Sequence, residues 1–320
     1  MTVDLLLVAG GLIALLAGAW QLVRSAVAIS LMFGLSRVIV GATVVAFGTS
    51  APEFVISLTA AVEGSSGLAL GNVLGSNVAN VALVLGSAAL VAPLIVDARL
   101  SRWEIPVLIV ATAAVLLFGA NGTIGRFEGG LLFLGGLLGF VVASLLIVRA
   151  PSVIDGDEEV DERPARTVRS LSIAGTLLLL GLTVLAIGAA VAVEGAKGIA
   201  ERAGMSELAV GISIVAVGTS LPEIATSLMA AWRREHDIAV ASAVGSNIFN
   251  LFGVVGATAL ITPLSVDRSL YGFEMPALAL SSLILVPLVL WWSRHLVDRW
   301  EGVLLVSLYV GFLFVVVTQA

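Results

Sequence analysis

The chain has 320 residues, of which 59% are hydrophobic and 12% charged, with a formal net charge of −6 and no cysteine. A soluble domain carries about a quarter charged residues, so most of this surface must face lipid. The lack of cysteine excludes disulfides, thiolate metal sites and cysteine nucleophiles. No basic stripe indicates a nucleic acid partner.

The apolar stretches can supply ten membrane helices, since a spanning helix needs about 20 apolar residues. The first stretch has Asp4 where a leader would be basic and is too long for a signal peptide, so we expect it to be retained. We predict an all-α membrane protein with spans at residues 3–23, 38–62, 68–91, 104–119, 128–148, 171–193, 208–232, 238–261, 274–292 and 301–318.

Basic residues predict the orientation of these spans. With the N-terminus outside, the inner loops collect twelve of the 16 Lys and Arg residues. The positive-inside rule therefore predicts a multi-pass protein of the cell membrane with both termini outside and residues 149–170 in the cytoplasm. The twelve are Arg24, Arg37, Arg99, Arg102, Arg149, Arg163, Arg166, Arg169, Arg233, Arg234, Arg294 and Arg299.

The chain repeats itself at an offset of 170 residues. Residues 41–62 read GATVVAFGTSAPEFVISLTAAV and residues 211–232 read GISIVAVGTSLPEIATSLMAAW, with 12 of 22 positions identical. Each copy holds five spans, an odd number, so the second must cross the membrane in the opposite sense. We therefore predict two inverted five-helix repeats, residues 1–148 and 171–320, joined by an acidic linker at 149–170. Inverted repeats are typical of secondary transporters with a site near the midplane.

Each copy places an acid, Glu53 or Glu223, inside an apolar span after the sequence GTSxP. A charge at mid-membrane costs about 2.5–3.5 kcal/mol on insertion scales, so two such acids indicate a compensating cation. Pro52 lacks an N–H and should break or unwind the helix around residues 46–49, and Pro222 should do the same around 216–219. Freed carbonyls, hydroxyls and carboxylates are the hard oxygen ligands that Ca²⁺ and Na⁺ prefer.

The following span in each copy adds amides and hydroxyls. These are Ser76, Asn77 and Asn80 in the first copy and Ser246, Asn247 and Asn250 in the second. Two structural interpretations compete with ion binding. The pattern SxPE also fits a helix capping box, and polar side chains often join membrane helices by hydrogen bonds.

The paired GTSxPE segments, each followed by GSNxxN, resemble the alpha repeats of the sodium/calcium exchanger family, the calcium:cation antiporters. The resemblance is most specific over residues 41–86 and 211–256. It implies that the second and seventh helices are broken, that the third and eighth complete the site, and that the first and sixth slide during alternating access.

The resemblance also implies a ligand set for each ion. Calcium would be held by the carboxylates of Glu53 and Glu223 and the backbone oxygens of Thr49 and Thr219. Sodium would use the carbonyls of Ala46 and Ala216 and the hydroxyls of Thr49, Ser50, Thr219, Ser220, Ser76 and Ser246, with Asn80 and Asn250 at the centre. Potassium-dependent relatives carry aspartate at the position of Asn250, so asparagine there indicates potassium-independent exchange.

These observations predict a Na⁺/Ca²⁺ antiporter, not an enzyme, with no prosthetic group and a site complete within one chain in the lipid bilayer. A Ca²⁺/H⁺ antiporter, or one for another divalent cation, is the nearest alternative on the same fold. An intramembrane hydrolase is disfavoured because no span holds a histidine and no HExxH motif occurs. A passive channel is disfavoured because channels usually repeat across subunits. The acidic run at 155–162 is read as a solvated linker, since it lacks the EF-hand layout.

Overall fold

The computed structural model describes residues 1–147, 168–203, 216–289 and 295–319. Within these ranges the chain is helical apart from two ribbons of two-residue strands. Seven of the described helices are long and apolar enough to cross a membrane, or eight when one bent pair counts as a single span. The protein is therefore a multi-pass helical membrane protein, as its composition predicts.

The first half contains six helices. They are α1 (Thr2–Phe33), α2 (Arg37–Thr49), α3 (Ala51–Val62), α4 (Ser66–Val91), α5 (Leu100–Gly119) and α6 (Arg126–Leu146). Helix α1 continues ten residues beyond the predicted end at 23 and stops where Gly34 adopts a left-handed conformation with φ 65°. Glycine takes that conformation without the steric cost other residues incur, so it ends the helix.

The second half repeats this order. Its helices are α7 (Val168–Arg202), α8 (Ala216–Thr219), α9 (Leu221–Trp232), α10 (His236–Ile261), α11 (Glu274–Pro287) and α12 (Arg299–Gln319), with a 3₁₀ turn at Arg268–Tyr271. The bounds of α9 and α10 equal those of α3 and α4 plus 170.

Three predictions on the second half fall partly or wholly outside the described residues. Residues 149–167 of the predicted linker lie outside the described residues, whereas residues 168–170 belong to α7. The predicted seventh span, 208–232, is described only from residue 216, and the predicted ninth, 274–292, only to residue 289. The count of ten spans therefore stays a prediction.

Helices α2 and α3 form one bent span, with an angle of 47° between them. The bend lies at Ser50, and Ala46–Thr49 is a helical turn. The helix therefore breaks as predicted, but at Ser50, and residues 46–49 do not unwind. Proline 52 removes only the N–H that would bond to the carbonyl of Gly48, whereas the N–H of Ser50 still donates to the carbonyl of Ala46 at 3.0 Å. Helices α8 and α9 likewise meet at Ser220, whose N–H donates to the carbonyl of Val217 at 3.1 Å.

Glycines bring α1 and α7 into close antiparallel contact. A Cβ atom built on Gly11 would lie 2.5 Å from the backbone nitrogen of Ala192, and one built on Gly18 would lie 2.7 Å from that of Leu185. Partner numbers in α7 fall as those in α1 rise, so the two helices run in opposite directions. Small residues allow membrane helices to approach in this way.

Two short ribbons join loops from different parts of the chain. Strand β1 (Leu94–Ile95) pairs antiparallel with β4 (Leu296–Val297), and β2 (Thr123–Ile124) pairs with β3 (Leu264–Ser265). Each ribbon joins two loops that the predicted topology assigns to one membrane face. Helices α4 and α10 are the most buried of the long helices and occupy the centre of the bundle.

Candidate ion-binding site

The two GTSxPE motifs contact each other across the halves of the protein. The hydroxyl of Ser50 donates a hydrogen bond to Oε1 of Glu223 at 3.0 Å, although the two residues lie 173 positions apart. Glu53 and Glu223 each sit in the first turn of a helix whose second residue is proline. The fold therefore brings the two repeated motifs to one place.

Both glutamates are buried inside the protein and do not face lipid. The exposed fraction is 1% for Glu53 and 4% for Glu223. Neither forms an ion pair with Lys, Arg or His within the described ranges. The helix N-termini supply some favourable potential for these acids, but two carboxylates in a low dielectric still need a counter-charge.

The capping-box interpretation is not what the structure shows. Ser50 and Ser220 both occupy the position before a helix, yet neither side chain accepts a capping hydrogen bond from the following turn. Ser50 instead directs its hydroxyl across the halves to Glu223. The serine of the first motif therefore belongs to the same cluster as the acid of the second.

Several buried oxygens at this place have no hydrogen-bond partner among the described residues. They are both carboxylate oxygens of Glu53, Oε2 of Glu223, and the amide oxygens of Asn77, Asn80 and Asn250. A buried acceptor left without a donor costs about 1–3 kcal/mol, and more when it is charged. Such a set of unpartnered hard oxygens suits Ca²⁺ or Na⁺. The negative charge comes from two acids alone, because the described part of the chain has no group of three or more His, Cys, Asp or Glu arranged to hold a metal.

Two predicted hydroxyl ligands of the first half, Thr49 and Ser76, are buried but make local hydrogen bonds. Thr49 Oγ1 donates to the carbonyl of Ala46 at 3.4 Å, and Ser76 Oγ donates to the carbonyl of Asn72 at 2.8 Å. A hydroxyl that donates keeps its lone pairs, so both oxygens can still bind a cation. Their positions are compatible with the predicted role, which stays a prediction.

The carbonyl of Ala46 is not free, contrary to the expectation that the proline exposes it. It accepts from the N–H of Ser50, from the Thr49 hydroxyl, and from Ser246 Oγ at 3.5 Å. The last contact joins the two halves. The helical hydrogen bond to the Ala46 carbonyl persists, because the N–H that proline lacks would have bonded to a different carbonyl, that of Gly48.

In the second half the predicted ligands occupy matching places. Ser220, Ser246 and Asn250 are buried, with at most 1% of each exposed, and Thr219 is half-buried. Ala216 is the first residue of α8. Asn80 and Asn250 both lie in wide π-helical turns, Asn80–Leu85 and Phe249–Val255. Such turns are frequent at functional sites, because they rotate side chains relative to the α-helical register.

The sequence analysis did not name Asn72, and it named Asn247 but left it out of the ligand set. Asn72 Nδ2 donates to the backbone carbonyl of Glu53 at 3.2 Å and to Ser57 Oγ at 2.9 Å. Asn247 accepts from Asn80 Nδ2 at 3.0 Å. An amide inside an apolar span is the sequence signal that could have identified both, since polar groups at membrane depth need partners.

Comparison with known proteins places the chain among transporters. The family described as sodium/calcium exchanger protein matches residues 3–148 and 173–318. CaxA of Alkalimonas amylolytica is 35% identical over 315 residues, 98% of each chain. The sodium/calcium exchanger MaX1 of Methanosarcina acetivorans is 31% identical over 356 residues, 98% of this chain and 99% of MaX1.

The fold is also similar to that of a solved exchanger. A structure of the sodium-calcium exchanger NCX_Mj, soaked with 10 mM Na⁺ and zero Ca²⁺, superposes with a TM-score of 0.80 and 30% identity over 97% of both chains. The resemblance drawn from the GTSxPE and GSNxxN motifs is thereby confirmed. With both halves matched, the chain belongs to the sodium/calcium exchanger protein family, a family of antiporters and not of enzymes.

Proposed function

We propose that the protein exchanges Na⁺ for Ca²⁺ across the membrane by alternating access, at the site between Glu53 and Glu223. The observation that carries the proposal is the pair of buried carboxylates with three unpartnered oxygens among them. One dehydrated Ca²⁺ neutralises both acids. Several Na⁺ ions can occupy the overlapping oxygens, but not together with Ca²⁺.

Charge makes exchange obligatory in this scheme. An empty site carries two bare carboxylates, which are costly in a low dielectric. The empty protein therefore reorients poorly, and each reorientation requires a loaded site. This penalty prevents the leak of either ion down its gradient.

We assign to this site the ligands that the family resemblance implies. Ca²⁺ is bound by the two glutamates with backbone oxygens of Thr49 and Thr219, and Na⁺ by the predicted hydroxyls and carbonyls. Asn80 and Asn250 stand at the centre of the site. The hydrogen bonds now made by Ala46 would have to lengthen for its carbonyl to bind an ion. Asn250 is a neutral amide, so the site lacks a third acid and K⁺ cotransport is not required.

Two structural observations support an architecture of ten spans in inverted halves. The first helices of the two halves, α1 and α7, run antiparallel. The ribbons β1–β4 and β2–β3 each join two loops that this topology places on the same membrane face. The ion pair between Arg37 and Glu235, at 2.8 Å, also joins two loops on the same face. With the N-terminus outside, the linker is cytoplasmic. All the proposed ligands lie in one chain, so we propose that a monomer transports.

The experiment is calcium uptake into proteoliposomes containing the purified protein. An outward Na⁺ gradient should drive ⁴⁵Ca²⁺ uptake without K⁺, and a pH gradient alone should not. Glu53→Gln and Glu223→Gln should abolish uptake, whereas Ser307→Ala, on an exposed face of α12, should not. Uptake driven by a pH gradient and indifferent to Na⁺ would favour the Ca²⁺/H⁺ alternative. Undiminished uptake in either glutamine variant would refute the site.

A further inference from the structure

A chain of amide hydrogen bonds crosses between the halves beside the site. Asn80 Nδ2 donates to Asn247 Oδ1 at 3.0 Å, and Asn247 Nδ2 donates to the backbone carbonyl of Asn77 at 3.1 Å. All three side chains are buried, with at most 1% of each exposed. The contacts join α4 to α10, the two central helices.

The direction of this chain is fixed by its last acceptor. A backbone carbonyl can only accept, so the atom of Asn247 that faces Asn77 must be the amide nitrogen. The amide oxygen of Asn247 then faces Asn80, and it in turn requires a donor. Asn80 must therefore present its nitrogen to Asn247 and turn its own oxygen away.

The oxygen of Asn80 that is turned away has no hydrogen-bond partner in the described part of the chain. It is one of the unpartnered oxygens that, in the proposed function, lie at the centre of the site. A cation attracts an amide oxygen and repels the positive end of the amide dipole, so only this orientation can bind an ion.

The equivalent hydrogen bond, from Asn250 to Asn77, is absent among the described residues. Asn77, which stands 170 positions before Asn247, donates to the carbonyl of Val73 in its own helix at 2.8 Å. Both amide atoms of Asn250 have no partner within the described residues. The repeat in sequence therefore does not extend to these hydrogen bonds: within the described residues, the amide of Asn80 is oriented from the opposite half and that of Asn250 is not.

We propose that Asn247 is a positioning residue that fixes the amide of Asn80 with its oxygen toward the transported cation. The inference rests on the proposed function and adds a residue that the motif-based ligand set omits. Residues that orient a ligand typically change metal affinity about 10–100-fold when removed. Asn247→Leu should therefore raise the KM for Ca²⁺ about 10–100-fold, with a smaller change in maximal rate.

A double-mutant cycle separates positioning from a general structural effect. If Asn247 acts through Asn80, then Asn80→Ala and the double variant Asn80→Ala/Asn247→Leu should have the same Ca²⁺ KM. Independent, multiplying effects on KM would overturn the proposal. Parent protein that does not transport Ca²⁺ at all would instead refute the proposed function, so the two failures are distinguishable.

A second measurement needs no variant and applies if Asn247→Leu does not fold. In crystals of the parent protein grown with Ca²⁺, Asn80 Oδ1 should lie about 2.3–2.6 Å from the ion, with its nitrogen still on Asn247. An ion placed away from Asn80, or an Asn80 amide that no longer contacts Asn247, would overturn the proposal.

Discussion

The hydrogen bond from Ser50 to Glu223 is a direct test of how the two halves build one site. Replacing Ser50 by alanine removes the donor that lies 3.0 Å from Oε1 of Glu223. The carboxylate then loses its fixed position, and Ca²⁺ must order it on binding. We therefore expect Ser50→Ala to weaken Ca²⁺ binding.

The magnitude follows from the charge on the acceptor. A hydrogen bond to a charged group contributes about 1.5–3 kcal/mol, and each 1.4 kcal/mol corresponds to a tenfold change in affinity. The Kd for Ca²⁺ should therefore rise about 10–100-fold.

Ser220→Ala is the matched comparison, because it makes the same chemical change at the equivalent position. Both oxygens of Glu53 lack partners in the described structure, so Ser220 does not hold that acid as Ser50 holds Glu223. Its loss should weaken Ca²⁺ binding less. The assay is calorimetric titration of the purified protein with Ca²⁺ in sodium-free buffer, since both serines are proposed Na⁺ ligands. Equal losses of Ca²⁺ affinity in the two variants would show that the hydrogen bond seen here does not position Glu223.

Two further changes test contacts at other places. Gly11→Ala should lower the thermal unfolding temperature in detergent, because overpacking a close helix contact costs about 1–3 kcal/mol. Gly10→Ala is the control, since a Cβ atom there meets nothing within 4 Å. Equal shifts of the unfolding temperature in the two variants would contradict the packing of α1 on α7. Asn72→Ser removes the donor to the Glu53 carbonyl. A hydrogen bond of this kind contributes about 0.5–1.5 kcal/mol, so its loss should raise the Ca²⁺ KM several-fold. An unchanged KM in the uptake assay would show that this bond does not support the acid.

Much of the fold follows from the sequence because the membrane restricts the alternatives. The solvent is apolar, so spans appear as apolar stretches, and helices are the structures that satisfy their own backbone there. The predicted boundaries of α4, α5 and α10 lie within four residues of the observed ones. Helix α1 runs ten residues beyond the predicted end of the first span, until Gly34 stops it. The length of an apolar stretch alone does not predict where its helix ends.

The placement of the helix break shows a second limit. Proline predicted a disruption over residues 46–49, but the structure bends at Ser50. Proline removes one particular N–H, and the carbonyls before it keep their own donors. A prediction made bond by bond would have kept Ala46–Thr49 helical and left the carbonyl of Gly48 without its usual donor. The approximate rule that proline unwinds the preceding turn was too coarse to find this.

The contacts that the sequence did not predict have a common cause. The repeat makes identical predictions for both halves, so it cannot predict a contact that differs between them. Ser50 bonds to Glu223, while neither oxygen of Glu53 has a described partner. Asn247 bonds across the halves, while Asn77 bonds within its own helix. A site that opens to one face at a time must break its own symmetry, because corresponding contacts on the open and closed sides cannot be equal. The asymmetric hydrogen bonds are therefore where the structure adds most to the sequence. The comparison of Ser50 with Ser220 measures one such difference, and the Asn80/Asn247 cycle tests a contact that the other half does not repeat.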